Sequence, residues 1–200
     1  MYQSIRDKLH LEADLPYTEH LSAAPDFLEL ISDHCLEYRP KNIVECSSGL
    51  TTLVLARCCQ LNGQGKVLSL EHGHEYAEKT RKDLKSFGLE QYAEVIHAPL
   101  HKVIINDREF AWYHLGGLHA VSIDMLVIDG PSGFTQKHAR YPAIPLLYDR
   151  LSHESVIYLD DAARGDEKEI VEMWRKEYPS LSHAHINTER GCSLLSVHKA

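Results

Sequence analysis

Residues Asn42 to Ala56 read NIVECSSGLTTLVLA. An apolar burst ends in an acid, a turn of small residues follows, and a second apolar run begins. Asn42–Cys46 suits a short buried strand and Thr51–Gln60 a helix, so Ser47-Ser48-Gly49 joins one to the other. Small residues there serve either a tight turn alone or a ligand that lies against bare backbone. A helix beginning just after Gly49 aims its free N–H groups at whatever fills the turn.

On either side of this stretch the strand–helix unit recurs. Ser22–Tyr38 reads as a helix, with Pro25 in its first turn and Phe27, Ile31 and Cys35 on one face; Arg39-Pro40 ends it. Lys66–Leu70 is a second strand. Glu75–Phe87 is a helix with Tyr76, Thr80, Leu84 and Phe87 aligned, stopped by Gly88. Ala93–His97, Ile123–Ile128 and Ser155–Leu159 supply three more strands. Lys137–Leu151 is expected to be helical, kinked or delayed by Pro142 and Pro145. Asp166–Tyr178 is a charged helix with Ile170, Trp174 and Tyr178 inward. Strands apolar on both faces that alternate with helices predict a doubly wound α/β fold, a mostly parallel sheet covered on both sides. The end differs, because Leu181–Asn187 and Cys192–His198 flank Thr188-Glu189-Arg190-Gly191 as an antiparallel C-terminal hairpin would.

The 200 residues suit one domain, with 1–21 as a polar N-terminal arm that has an early amphipathic piece and 22–200 as the core. A formal charge of -8 argues against a nucleic-acid surface. No apolar run approaches the roughly 20 residues of a membrane span. The charged start, MYQSIRDKLHLEADLP, lacks a secretory apolar region. Five cysteines without a Cys-x-x-Cys pair read as reduced, buried thiols of a cytoplasmic protein. The 14 histidines are scattered and give zinc little support. A homodimer is compatible with all of this.

In doubly wound sheets ligands bind at the carboxyl ends of the strands. Here those ends carry Glu45 then Ser47, Ser48 and Gly49; Glu71 then His72; Ala98-Pro99; Asp129-Gly130-Pro131; and Asp160-Asp161. An acid about 20 residues after the glycine turn, at the end of the second strand, can take both hydroxyls of a ribose. Glu71 suits that role; otherwise it complements the dipole of the helix that follows. The turn offers only Gly49, not the three glycines of a dinucleotide fingerprint, and no Gly-Lys-Ser/Thr follows. An adenosine with a less charged tail suits such a site.

The chain resembles class I S-adenosylmethionine-dependent methyltransferases, of the small type related to catechol O-methyltransferase, from about Ser22 to the C-terminus. VECSSGLTTLVLA is similar to the family's first motif, and VLSLEHGHEYAEKTRKDL to the second. IDMLVIDGPSG is similar to the fourth motif, and SVIYLDDAARGDE to the segment after the fifth strand. The resemblance implies a seven-stranded Rossmann-like sheet whose last strand is antiparallel. It implies S-adenosyl-L-methionine held by Glu45, Ser47, Ser48, Gly49, Thr52, Glu71, His72, Pro99 and Asp129. It also implies methylation of an oxygen on a small-molecule acceptor, with Asp129 at the chemistry. A non-catalytic cofactor-binding relative, or a NAD or nucleotide-sugar enzyme on a related fold, is the alternative. Two departures stand out. Ser47 replaces the usual first glycine, and the lysine that catechol-type enzymes carry after the fourth-strand acid is missing.

In the metal-dependent branch one aspartate ends the fourth strand and an Asp-Asn pair the fifth, which maps onto Asp129, Asp160 and Asp161. Three converging carboxylates need a cation or basic side chains to neutralise them. Mg²⁺, Mn²⁺ or Ca²⁺ suits the hard oxygen donors. The alternative pairs Asp160 with Arg140 or Arg164 and leaves Asp161 to cap the next helix. Residues 101–121 and 131–141, the long connections after strands three and four, are the expected lid and acceptor pocket. Trp112 and Tyr113 are either an aromatic wall or core. His114, Lys137, His138 and Arg140 are candidate bases or anion grips, with surface exposure expected for each.

Overall fold

A computed structural model describes residues 2–198. The apolar runs form strands β1 (Asn42–Cys46), β2 (Lys66–Glu71), β3 (Ala93–His97), β6 (Ile123–Ile128) and β7 (Leu151–Leu159). They pair in parallel, because each crossover must carry the chain back along the sheet. Two further strands, β8 (Leu181–Ile186) and β9 (Cys192–Val197), form the expected hairpin, with β9 antiparallel to β7. The sheet order is β3-β2-β1-β6-β7-β9-β8. The architecture is therefore a Rossmann-like seven-stranded sheet, mostly parallel, as expected.

The helices are α1 (Gln3–Lys8), α2 (Pro25–Tyr38), α3 (Leu50–Asn62), α4 (His74–Ser86), α5 (Ala143–Leu147) and α6 (Gly165–Glu177). Successive strand residues point to opposite faces and divide the core in two. Ile43, Val67 and Val127 meet Phe27, Ile31 and Leu53 on one side. Val44, Leu126 and Ile128 meet Ile144, Ile170 and Trp174 on the other. Burying each such side chain fully contributes about 1.5–3 kcal/mol. Trp174 also donates its ring N–H to the carbonyl of Tyr141 at 2.9 Å, which satisfies its one polar group inside the core.

Three expectations need correction. Residues 101–121 are not one long loop: β4 (Leu100–Ile105) and β5 (Arg108–Tyr113) form a separate antiparallel hairpin. Its two-residue turn has Asn106 at φ 50° and Asp107 at φ 60°, the left-handed geometry that matches strand twist. Lys137–Leu151 is not a long helix. Only Ala143–Leu147 is α-helical, because Pro142 and Pro145 deny donors to a continuous ladder. The arm is no polar extension either. Ile5, Leu9 and Leu15 are buried, and the Arg57 guanidinium donates to the Leu9 and His10 carbonyls at 2.8 and 3.0 Å.

Candidate active site

From β1 the chain winds outward through β2 to β3, then returns to place β6 on the other side of β1. The strand order reverses there, so the two crossovers diverge and leave a crevice. Ladder hydrogen bonds bring four residues off the sheet along one edge. Ser47 donates to the Leu70 carbonyl at 2.9 Å and Asp129 to Cys46 at 3.1 Å. Asp160 donates to Ile128 at 3.1 Å, and Ala98 to Glu71 at 2.7 Å. Ser47, Glu71, Asp129 and Asp160 are thereby aligned by the sheet itself.

Glu45 lies below this edge and is fully buried. It accepts hydrogen bonds from the hydroxyls of Thr51, of Thr52 at 2.6 Å and of Ser69 at 2.5 Å. Thr52 in turn accepts from the Gly49 N–H at 3.0 Å, at the start of α3. Burial raises the Glu45 carboxyl to about 7 against the pull of the Ser69, Thr51 and Thr52 hydrogen bonds. Neither Glu45 nor Thr52 lines the crevice. Their side chains anchor the turn from beneath.

The turn itself is unusual in its backbone. Gly49 sits at φ 134° and Ser47 at φ 115°, both in the region that favours glycine. A side chain held there costs of order 1–3 kcal/mol, while glycine loses about 0.5–1 kcal/mol more backbone entropy on folding. Ser47→Gly is therefore expected to stabilise the protein by about 1 kcal/mol, raising Tm by roughly 2–4 °C. A Tm equal to or below that of the parent in a thermal melt would rule out the strain.

A cavity of about 270 Å³ opens above the turn. Ser47, Ser48 and Gly49 line it on one side, Glu71 and His72 on another. The first turns of α4 add Tyr76 and Thr80, and the arm adds Pro16 and Leu21. Glu71 is 4% exposed and held rigidly. Its Oε2 accepts from the Ser48 N–H at 3.1 Å and the Ser48 hydroxyl at 3.0 Å; its Oε1 accepts from the Gly73 N–H at 2.8 Å. His72 Nδ1 lies 3.4 Å from Oε1. Pro99 lies outside this cavity; its carbonyl accepts from His114 at 3.1 Å where β3 passes into the hairpin.

Asp129, Asp160 and Asp161 do converge, with one carboxylate oxygen from each within 4.8 Å of the others. They do not line the cavity but lie beside it, around the guanidinium of Arg140. Asp160 is fully buried, and neither of its carboxylate oxygens has a hydrogen-bond partner among the described residues. Burial, then the charges of Asp129 and Asp161, raise Asp160 well above the usual carboxylate range. Burial raises Asp129 too, against the pull of Arg140. A neutral acid is the form that such a site tolerates.

The surface exposure expected for the basic candidates holds for His114 and Lys137 only. His138 and Arg140 are 6% and 3% exposed. His138 Nδ1 faces Arg108 Nη2 at 3.0 Å, and its Nε2 faces Glu169 at 2.6 Å. With both ring nitrogens engaged it is no free base. Trp112 and Tyr113 are buried in the second core, which resolves the choice between wall and packing in favour of packing.

A family model described as a methyltransferase domain matches residues 44–162. The chain belongs to that family. Among solved structures, cofactor-bound Rv0187 from MTB aligns over 100% of this chain and 88% of its own, with 20% identity and a TM-score of 0.69. The SAH-bound methyltransferase PaMTH1 of Podospora anserina covers 99% and 88%, with 14% identity and a TM-score of 0.72. An O-methyltransferase from Bacillus cereus in complex with SAH covers 98% and 90%, with 15% identity and a TM-score of 0.68. Likeness at these identities carries the fold. The comparison with curated proteins gave no match.

Within this methyltransferase, the arm residues, Tyr76 and Thr80 are among the cavity walls that sequence reasoning missed. Thr80 carried a signal: it shares a helical face with Tyr76, and that face runs past the sheet edge into the crevice. The arm carried none, because its place rests on distant contacts: the Tyr2 hydroxyl with the Ala23 carbonyl, Lys8 with Asp33, and Arg57 with the Leu9 and His10 carbonyls.

Proposed function

We propose that this methyltransferase moves a methyl group from S-adenosyl-L-methionine to an oxygen of a small, largely apolar acceptor. The observation that supports this most is the Glu71 carboxylate, fixed beside a bare-backbone turn at the point where strand order reverses. Glu71 takes the ribose hydroxyls. Ser48 gives way to them without loss, since its hydroxyl already lies 3.1 Å from that of Thr80, which donates its own proton to the Tyr76 carbonyl. A Cβ built on Gly49 would meet nothing within 4 Å, so the turn has open space above it for the cofactor's tail. The cofactor supplies a methyl group already activated on its sulfonium. The protein's share is to align the acceptor, exclude water and receive a proton. Asp129, its carboxyl raised to about 7 and its side chain still 16% exposed, takes that proton in its ionised form, which Arg140 holds beside it.

The acceptor's character follows from the rim. Tyr17, Leu21, Tyr76 and Phe134 are large, exposed apolar side chains in or next to the segments that bound the cavity. Leu21 and Tyr76 line the opening itself, and apolar side chains there favour an apolar ligand. The net charge of -8 points the same way for nucleic acid, which it repels.

Glu71→Ala is expected to remove charge-assisted contacts of about 1.5–3 kcal/mol, at least roughly tenfold in affinity. Titration calorimetry with S-adenosylhomocysteine reads it, with circular dichroism to confirm the fold. Full affinity in the folded variant would overturn the cofactor assignment.

A further inference from the structure

We infer that Arg140 is the resident cation of the acid cluster, standing where a divalent ion serves the metal-dependent branch, so that this chain holds Asp129 in place without one. The inference rests on the fold and not on the cofactor reading. Arg140 Nη1 donates to the Asp160 carbonyl at 2.8 Å. Its Nη2 donates to the Asp129 carbonyl at 3.0 Å and to Asp161 Oδ2 at 2.8 Å, and lies 3.4 Å from Asp129 Oδ1. The same guanidinium therefore ties the ends of β6 and β7 together and faces two of the three carboxylates.

The acids are close enough to share an ion, and the orphaned oxygens of Asp160 are the donors it would want. Charge and space stand against it. A guanidinium within hydrogen-bond reach of two ligands repels a second cation, and Arg164 adds another at 2.9 Å from Asp161 Oδ2. Nor is Arg140 free to swing away. His138 donates its backbone N–H to Asp166 at 3.0 Å, and Tyr141 donates to His138 at 3.0 Å. Tyr141 is itself buried, with Trp174 bonded to its carbonyl. The backbone on both sides of Arg140 is pinned, and the side chain points inward.

A consequence for the acceptor follows. A metal ion offers open coordination positions that grip two neighbouring oxygens at once. The Arg140 Nη groups are already engaged, so a paired-oxygen acceptor gains no chelate here, and a single hydroxyl suffices.

The test is Mn²⁺ binding, read from the loss of free-ion electron paramagnetic resonance signal and from thermal melts against an ionic-strength control. The full chain is expected to bind no Mn²⁺ and to show no saturable shift. Arg140→Gln, which removes the charge, is expected to bind one Mn²⁺ per chain and to gain stability from it. Arg140→Lys, which keeps the charge, is expected to bind none. Recovery of folded Arg140→Gln only in the presence of Mn²⁺ would also support the inference. Saturable Mn²⁺ binding by the parent chain overturns it. So does an Arg140→Gln variant that folds and ignores Mn²⁺, or one that stays unfolded in saturating Mn²⁺. S-adenosylhomocysteine binding measured in parallel reports on the cofactor reading separately.

Discussion

Alanine in place of Glu45 is expected to destabilise the protein by about 3–5 kcal/mol, lowering Tm by roughly 10 °C. The change removes the shared acceptor of the Thr51, Thr52 and Ser69 hydroxyls and leaves a cavity at a fully buried position. It also frees Thr52, which accepts the Gly49 N–H at the start of α3. The turn at Ser47–Gly49 should loosen before the rest of the sheet, because its end hangs from this network. Hydrogen exchange would show faster opening at residues 47–52, and urea denaturation the loss of stability. A change below about 1 kcal/mol would mean that the three hydroxyls find other partners, and Glu45 would then be no anchor.

The second large effect is on pH dependence. Asp160 is raised from an ordinary 3.8 to about 8 by burial and by the nearby Asp129 and Asp161 charges. In the unfolded chain the same group ionises near 4, so between these values the folded protein binds the extra proton. Its contribution is fully present below the unfolded pKa and is lost as pH rises through the folded one. Complete loss amounts to something on the order of 5 kcal/mol. Asp129 and Glu45, each raised to about 7 chiefly by burial, act in the same direction. Stability measured by urea denaturation should therefore fall from pH 5 to pH 8. Asp160→Asn should flatten the profile, matching the parent near pH 5 and exceeding it at pH 8, because asparagine imitates the neutral acid. A parent whose stability rises over this range would show that the cluster is ionised and neutralised in another way.

The features that local periodicity encodes were legible in the sequence. Five-residue apolar runs separated by helical patterns specify strands buried on both faces, and such strands have little choice but a parallel sheet. The place of Glu71 at the cavity was legible because it ends a strand about 20 residues after a small-residue turn, on the carboxyl edge of the sheet. The missing glycine at Ser47 was legible too. Its backbone angle, which makes the serine a source of strain, was not.

The β4–β5 hairpin had a signal in Asn106-Asp107, but its strands are half exposed and lack clean alternation. Proline content alone did not show how far Lys137–Leu151 would depart from a helix.

By itself, then, the sequence determined the sheet, its crossovers and the small-residue turn that lines the cavity, because these depend on neighbours a few residues apart. Only the tertiary structure decided that Glu45 supports the turn from below, that the arm walls the cavity, and that Arg140 rather than solvent meets the acids. Those outcomes depend on which charges and hydroxyls are brought together after burial. Arg140 meets Asp161 from 21 residues away, and Arg57 holds Leu9 from 48. No spacing rule sets these pairings; the desolvation of buried charge does, because each carboxylate taken from water must find a proton or a cation wherever the fold brings one.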